Sequence, residues 1–476
     1  MSRSVAATGL LVAVLALAPG ARAFDVPPEG ACASRPIQWG PDTGPAAQDV
    51  VPPAWHPGER VQLDEFERLR GWLPEEVWER RDLFFFEGML LEVGPCYRRY
   101  PAPAFFSDAT LSNSGKASVD ASGNLSGYAG MGLPFAPASI ADDAPDAGLR
   151  WAWNYRYRYQ GSGFRGNFRI TELTRGGRGV MSFLGELFFV PLHGVPGGPG
   201  EGRDDRFVAG GSFSAPDSAR GLAWRQFQKT AAETDYLATD DVFVYLPGQR
   251  KVRRAPPQQS EGVYLPSYTR GRSVDNTGLT LSDQMSDVGN PAISAAEPIR
   301  RGFIGLVIRP NAYAWTLDGV RDVLAPANGN ARGYPSDDAR NYGPSGLSLA
   351  SDRWELRRAV VLRGVRKDLE GSVKSVVLWI DGLTQQPLYW ISSRGNGAVY
   401  EVGIFTSRFS ADDLIDPKWA GSGTGFGVML PVAQSFAVAG QGGGWLLESY
   451  ALRTDPPDAE QVKDYLSTQG MQRKGR

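Results

Sequence analysis

The chain has 476 residues, a formal net charge of −2 and a pI near 5.9, which excludes the basic excess that a nucleic-acid binder uses to neutralise phosphates. A hydrophobic content of 42% with 13 Trp excludes a disordered chain. The 58 Gly and 35 Pro break helices and serve turns, so composition leans to a β protein.

In chain order, Arg3 precedes an apolar run from Val5 to Ala18 that ends in Ala21-Arg22-Ala23, a small-x-small cleavage pattern. Residues 1–23 therefore read as a cleaved secretory signal peptide, and the apolar run is too short for a comfortable membrane span. The residue after the cleavage point is Phe24 rather than a cysteine that could carry lipid, so the expectation is a free periplasmic protein. Residues 24–60 are rich in Pro, Gly and Asp without a sustained period and read as an extended arm. Cys32 and Cys96 are the only cysteines, and in an exported chain one disulfide between them is the simplest reading. It ties the arm to the domain.

Leu63, Phe66, Leu69, Leu73, Val77 and Trp78 recur at three- and four-residue steps, predicting two short helices near 62–72 and 75–85. A succession of strands follows. The clearest candidate is 151–160, where Trp151, Trp153, Tyr155, Tyr157 and Tyr159 alternate with Asn154, Arg156 and Arg158 at period two. Further strands are predicted at 165–174, 179–191, 206–213, 222–229, 241–247, 250–254, 312–317, 353–363, 373–381, 387–393 and 398–408, joined by reversals such as Pro247-Gly248 and Asp381-Gly382. Such repeated hairpins imply an antiparallel meander. Residues 193–204 and 325–348 read as surface loops, Ser282 to Met285 as one helical turn, and Ala459 to Leu466 as a terminal helix.

Enzyme signatures are sparse. His56 and His193 are the only histidines, and neither belongs to an HExxH-type spacing. No Gly-x-Ser-x-Gly elbow occurs; a pair of carboxylates placed by the fold stays open as a glycosidase arrangement. Gly161-Ser-Gly163-Phe-Arg-Gly166 fits a dinucleotide fingerprint, but a strand-like segment follows it where a pyrophosphate site needs a helix N-terminus, so it reads as a hairpin turn. Paired acids at Asp240-Asp241, Asp337-Asp338 and Asp412-Asp413 lack the alternating oxygen ligands of an EF-hand. The expectation is no enzyme, no cofactor and no metal.

Two features point to binding. The aromatic stripe of 151–159 either packs as core or lines an apolar cavity under a curved sheet, with Trp354, Trp379, Tyr389 and Trp390 extending the wall. The cluster Arg250, Lys251, Arg253 and Arg254 is either a charged sheet edge or a cationic rim for an anionic headgroup.

The segments Leu73-Pro-Glu-Glu-Val-Trp-Glu-Arg-Arg-Asp-Leu-Phe-Phe-Phe-Glu-Gly-Met89, Arg98-Arg-Tyr-Pro101, Gly148-Leu-Arg-Trp-Ala-Trp-Asn-Tyr-Arg-Tyr-Arg-Tyr-Gln-Gly161 and Tyr245-Leu-Pro-Gly-Gln-Arg-Lys-Val-Arg-Arg-Ala-Pro256 resemble an exported proteobacterial family, domain of unknown function 1329. Trp354-Glu-Leu-Arg-Arg358 and the 376–391 hairpin fit as well, and the resemblance runs from about 60 to 470. The family is similar to the LolA/LolB lipoprotein carriers. That implies a large curved antiparallel sheet forming an open barrel, a few lid and flanking helices, and a domain over 61–470 of one or two sheets before a tail at 471–476. It also implies a periplasmic carrier or chaperone of a lipid, lipoprotein acyl chain or other hydrophobe, partnered by resistance-nodulation-division-type permeases and outer-membrane proteins. A non-catalytic envelope scaffold docking through its basic hairpin is the alternative. No catalytic residue comes with the resemblance.

Overall fold

Strands with two buried faces dominate the chain because their residues alternate between two apolar sets, each needing its own cover. The structure is a computed structural model; it describes residues 24–32, 55–85, 89–174, 179–194, 196–199, 202–255, 262–265, 305, 307–329, 353–367, 373–413, 427–438, 444–453 and 455–474. The signal-peptide segment, the turn at 282–285, Asp337-Asp338 and most of the 325–348 loop lie outside them.

The strands are β1 (Arg60–Gln62), β2 (Leu90–Val93), β3 (Ser118–Val119), β4 (Leu125–Ser126), β5 (Phe164–Thr174), β6 (Gly179–Pro191), β7 (Asp205–Ala215), β8 (Ala223–Lys229) and β9 (Asp241–Leu246). They continue with β10 (Lys251–Arg254), β11 (Tyr313–Ala325), β12 (Arg353–Arg366), β13 (Val373–Asp381), β14 (Pro387–Arg394), β15 (Val399–Phe409), β16 (Met429–Val438) and β17 (Gly444–Leu452). The α-helices are α1 (Glu75–Trp78), α2 (Arg81–Phe84), α3 (Ala104–Ser112), α4 (Ala147–Arg156), α5 (Ala459–Tyr465) and α6 (Gln469–Lys474).

Fifteen strands form one open sheet in the order β1-β2-β12-β13-β14-β15-β16-β17-β5-β6-β7-β8-β9-β10, with β11 also on β12, while β3 and β4 form a separate pair. The predicted meander is therefore present. It is antiparallel at every pair but one: Arg353 and Trp354 of β12 run parallel to Glu92 and Val93. The two halves of the sheet are joined where β17 pairs with β5 through nine antiparallel residue pairs, Gly444↔Thr174 to Leu452↔Gly166.

The β12–β16 half is covered on both faces. Val361, Trp379, Tyr389, Ile391, Val402 and Ile404 face the N-terminal helical segment, with Phe66, Leu69, Trp72, Val77 and Phe85 as cover. Val360, Leu362, Leu378, Ile380, Trp390, Phe405 and Phe436 face α4. In the β5–β9 half, Phe106 of α3 packs with Phe189, Phe207, Trp224 and Val244, and Val462 and Tyr465 of α5 cover Phe188, Val208 and Phe227 on the other face. The arm reaches the interior: Phe24 lies edge-on to Trp151 at 5.1 Å, and Cys32 and Cys96 form the expected disulfide.

Three expectations are corrected. Residues 151–156 are helix, not strand: α4 starts after Asp146, whose Oδ2 accepts from Arg150 Nε at 2.8 Å one turn on. The Trp153 and Tyr157 rings stack at 6.0 Å, again four residues apart. Trp151, Trp153 and Tyr155 thus point around a helix that is buried on every side, which erases the one-sided stripe by which helices are recognised. The 62–72 segment is a 3-10 helix over Leu63–Trp72, and the second predicted helix splits into α1 and α2. The 471–476 tail begins inside α6, where Met471 is buried.

Candidate functional site

Helix α4 ends at Arg156 with Tyr157 as its C-cap, donating its N–H to the Trp153 carbonyl, and a link with Gly161 and Gly163 at positive φ leads into β5. The Gly161–Gly166 segment is not the hairpin turn expected: it links a helix to a strand, with Gly166 already paired inside β5, and no helix N-terminus follows it. This short link carries Arg156, Tyr157, Arg158, Tyr159 and Gln160 under the sheet, where Arg156 and Arg158 are 7% and 4% exposed. They stand on opposite sides of Tyr157. Both border a cavity of about 40 Å³ that is also lined by Tyr157, Tyr159, His193 and Arg206. A second cavity, of about 20 Å³, lies between Arg158, Gln160, Phe164, Phe405 and Tyr450.

The charges around these cavities do not balance locally. Arg206 is held bidentately by Glu233, and Arg309 Nη2 donates to Asp240 Oδ1 at 2.5 Å, an oxygen pair shared with Gln226 at 2.6 Å. Arg156 and Arg158 have no carboxylate partner among the described residues. Arg156 Nη2 donates to Gln228 Oε1, and its guanidinium lies 5.5 Å from the Phe207 ring centre. Arg158 donates to Gln386 Oε1 at 3.1 Å, the Tyr155 carbonyl at 2.8 Å and the Gly305 carbonyl at 2.5 Å. Burial pulls both guanidiniums down to about 10. Tyr157 Oη is buried without a hydrogen-bond partner among the described residues.

His193 closes one wall, donating from Nε2 to the Asp205 carbonyl at 2.7 Å. Burial lowers its pKa from the ordinary 6.5, and the Arg206 and Arg156 charges reinforce the shift against the opposing Asp205. The folded chain therefore resists protonation that the unfolded chain accepts, so His193 contributes stability present above 6.5 and lost as pH falls through its lower folded value. Because the only other histidine, His56, is exposed, His193→Gln should shrink the stability lost between about pH 7.5 and 5.5. Urea unfolding of both proteins at each pH checks this; equal losses would contradict it.

The other predicted cations lie elsewhere. Lys251, Arg253 and Arg254 are exposed on β10, the edge of the sheet, and Arg250 closes the preceding turn in the left-handed conformation. Arg254 pairs with Asp241, and none of the four lines either interior cavity. Of the aromatic stripe, Tyr157 and Tyr159 reach the interior cavities, whereas Trp151 and Trp153 pack as core. Of the extended wall, Trp390 joins the α4 face, while Trp354, Trp379 and Tyr389 turn to the opposite one.

A third space, a crevice of about 270 Å³, lies between β5–β8 and the C-terminal helices. Its cations are partnered: Arg225 lies 3.6 Å from Asp464, and Arg165 and Arg453 share Asp455 at 3.0 and 3.3 Å. The site at the end of α4 differs in setting four arginines, Arg156, Arg158, Arg206 and Arg309, against the two carboxylates Glu233 and Asp240.

Residues 85–276, which contain α4 and every residue named around the 40 Å³ cavity, match the family model described as protein of unknown function, DUF1329. DUF1329 is the family that this stretch is similar to. Among solved structures, an outer membrane lipoprotein-sorting protein domain from Vibrio parahaemolyticus is 14% identical, with 69% of this chain and 100% of that one covered at a TM-score of 0.40. A DUF1329 family protein from Desulfovibrio piger gives 14% identity, 69% and 99% coverage and a TM-score of 0.40. A LolA superfamily protein from Nitrosomonas europaea gives 14%, 67% and 98%, and 0.33. No curated protein matches the chain. Among the described residues, no helix is long and apolar enough to cross a membrane.

Proposed function

We propose that this protein is an exported, non-catalytic carrier of a hydrophobic or amphiphilic molecule in the periplasm. The observation that supports the reading best is the interior of the open sheet: an aromatic core that stays unfilled where Tyr159, Phe106, Phe189 and Phe207 meet two buried cations. An acyl chain buried there gains about 0.8 kcal/mol per CH2. The two cavities hold groups of water size, so a chain-length ligand displaces packed side chains as it enters. Uptake therefore carries a conformational signal.

The test is titration of the purified mature chain with a fluorescent fatty-acid probe while its tryptophan emission is followed. Saturable probe uptake with a concerted tryptophan change is expected. Probe uptake that leaves the tryptophans unmoved would place the ligand outside the core, and no uptake would remove the carrier reading.

A second reading, an envelope scaffold docking through β10, draws support from the exposed Lys251 and Arg253, which have no carboxylate partner among the described residues. Permeases and outer-membrane proteins are the partners to try. Reversing the charge of Arg250, Lys251, Arg253 and Arg254 should then abolish a pull-down without changing probe uptake.

A further inference from the structure

We infer that the cavity at the end of α4 is a binding site for the anionic oxygen headgroup of an amphiphile, held by Arg156 and Arg158 with Tyr157 Oη as a neutral donor. The inference rests on the carrier reading and specifies its ligand. Three observations on the structure carry it.

The first is charge. A buried ion costs several kcal/mol unless a partner offsets it, and the nearby pairs show what satisfaction looks like here: Glu233 grips Arg206 and Asp240 grips Arg309. Arg156 and Arg158 have neutral acceptors only. A bound carboxylate or phosphate oxygen supplies the missing charge to the cavity they share.

The second is donor capacity. Of the five N–H groups of Arg156, the described residues accept from one, through Gln228. Tyr157 Oη, on the same cavity, has no partner among them. These are donors without acceptors, the complement of an acceptor-only ligand.

The third is shape. Gly130, at φ +85°, borders this cavity, and a Cβ there would sit 3.2 Å from both Arg206 Nη1 and His193 Nδ1. The bare backbone keeps the cationic wall open. Beyond the cations the lining turns aromatic, which suits the first carbons of a chain. The crevice by the C-terminal helices offers no such imbalance, since each of its arginines has an aspartate nearby.

The experiment compares dodecanoate, dodecan-1-ol and acetate by calorimetry at about pH 8, where a carboxylic acid is ionised, using the mature full-length chain. Wild type is expected to bind dodecanoate roughly tenfold or more tighter than the alcohol, the fold-change of a charge-assisted hydrogen bond. In Arg156→Gln and Arg158→Gln that ratio should fall toward one, and in Arg156→Lys, which keeps the charge, part of it should return. Thermal melts of each variant identify any that fails to fold, and Tyr157→Phe, which deletes only the free hydroxyl, then provides the reading through a smaller loss of the same ratio. Equal binding of dodecanoate and the alcohol by wild type would overturn the headgroup site while leaving the carrier intact. Acetate binding as tightly as dodecanoate would overturn the amphiphile and leave a site for free anions. Binding of none of the three would remove the carrier reading and this inference together.

Discussion

Replacing Arg357 with methionine should destabilise the protein by about 3–5 kcal/mol, the loss expected when one member of a buried ionic cluster is removed and the rest stay charged. Arg357 is fully buried on β12. Its Nε and Nη2 donate to the two carboxylate oxygens of Asp381 at 3.0 and 2.8 Å, and Nη1 donates to Glu355 at 3.3 Å and to the Arg98 carbonyl at 2.6 Å. Tyr100 Oη donates to the other Glu355 oxygen at 2.5 Å. The cluster thereby clamps the segment after Cys96 onto β12 and β13, where Tyr97 N also donates to the Leu356 carbonyl at 2.9 Å.

The sign of the pH effect follows. Burial raises the pKa of Glu355, and Arg357 opposes it. Without the arginine the carboxylate goes higher still, so the folded variant holds a proton that the unfolded chain releases. Stability is then present at low pH and lost as pH rises, and Arg357→Met should recover part of its deficit as pH falls from about 7 to 5. Adding Glu355→Gln and Asp381→Asn should also recover part of it, because the stranded charges go. Urea unfolding measures all three; a deficit below about 1 kcal/mol with no pH dependence would mean that the cluster is solvated rather than buried.

The second large effect is at Trp151, which is fully buried on α4 against Phe24 and the β11–β13 face. Trp151→Ala should cost about 3–5 kcal/mol, the range for deleting a buried large aromatic side chain. Tyr157→Phe, six residues on, should be near neutral, since it removes a hydroxyl that has no partner among the described residues. A carrier wall and a core residue are thus told apart. If Trp151→Ala melts like wild type and loses only ligand uptake, Trp151 lines the site after all and the core assignment for this side chain is wrong.

The same helix explains what could and could not be read from the chain. Strands β12 to β15 sit within a few residues of their predicted bounds, because alternation such as Val360 and Leu362 against Val361 reflects two faces with different covers. In α4 the run Trp151-Ala-Trp-Asn-Tyr-Arg-Tyr-Arg158 imitates that alternation, and burial all round removes the competing helical stripe. The spacing of Asp146 from Arg150 was the available helical signal. Strands β16 and β17 escaped notice for a related reason: Pro431, Ala433 and Ser435 in one, and Leu446, Leu447 and Glu448 in the other, lack the β-branched alternation of their neighbours. Tertiary pairing overrides their weak preference.

For the site, the legible part was the idea of cations beside an aromatic surface. The prominent cluster at 250–254 is the charged edge of the sheet, whose exposed side chains discourage strand addition. The buried cations were Arg156 and Arg158, which the period-two reading set on the polar side of a strand. Partner and burial depend on Gln228, Gln386 and Gly305, as many as 228 residues away in sequence, and no local pattern encodes them.

The carrier assignment is tested most directly by native mass spectrometry of the protein released gently from its own periplasm, followed by solvent extraction of what leaves it. The account predicts a discrete added mass that is freed as an anionic amphiphile, and an Arg156→Gln protein that arrives without it. A bare chain from the periplasm that also fails to take up any amphiphile offered in excess would contradict it.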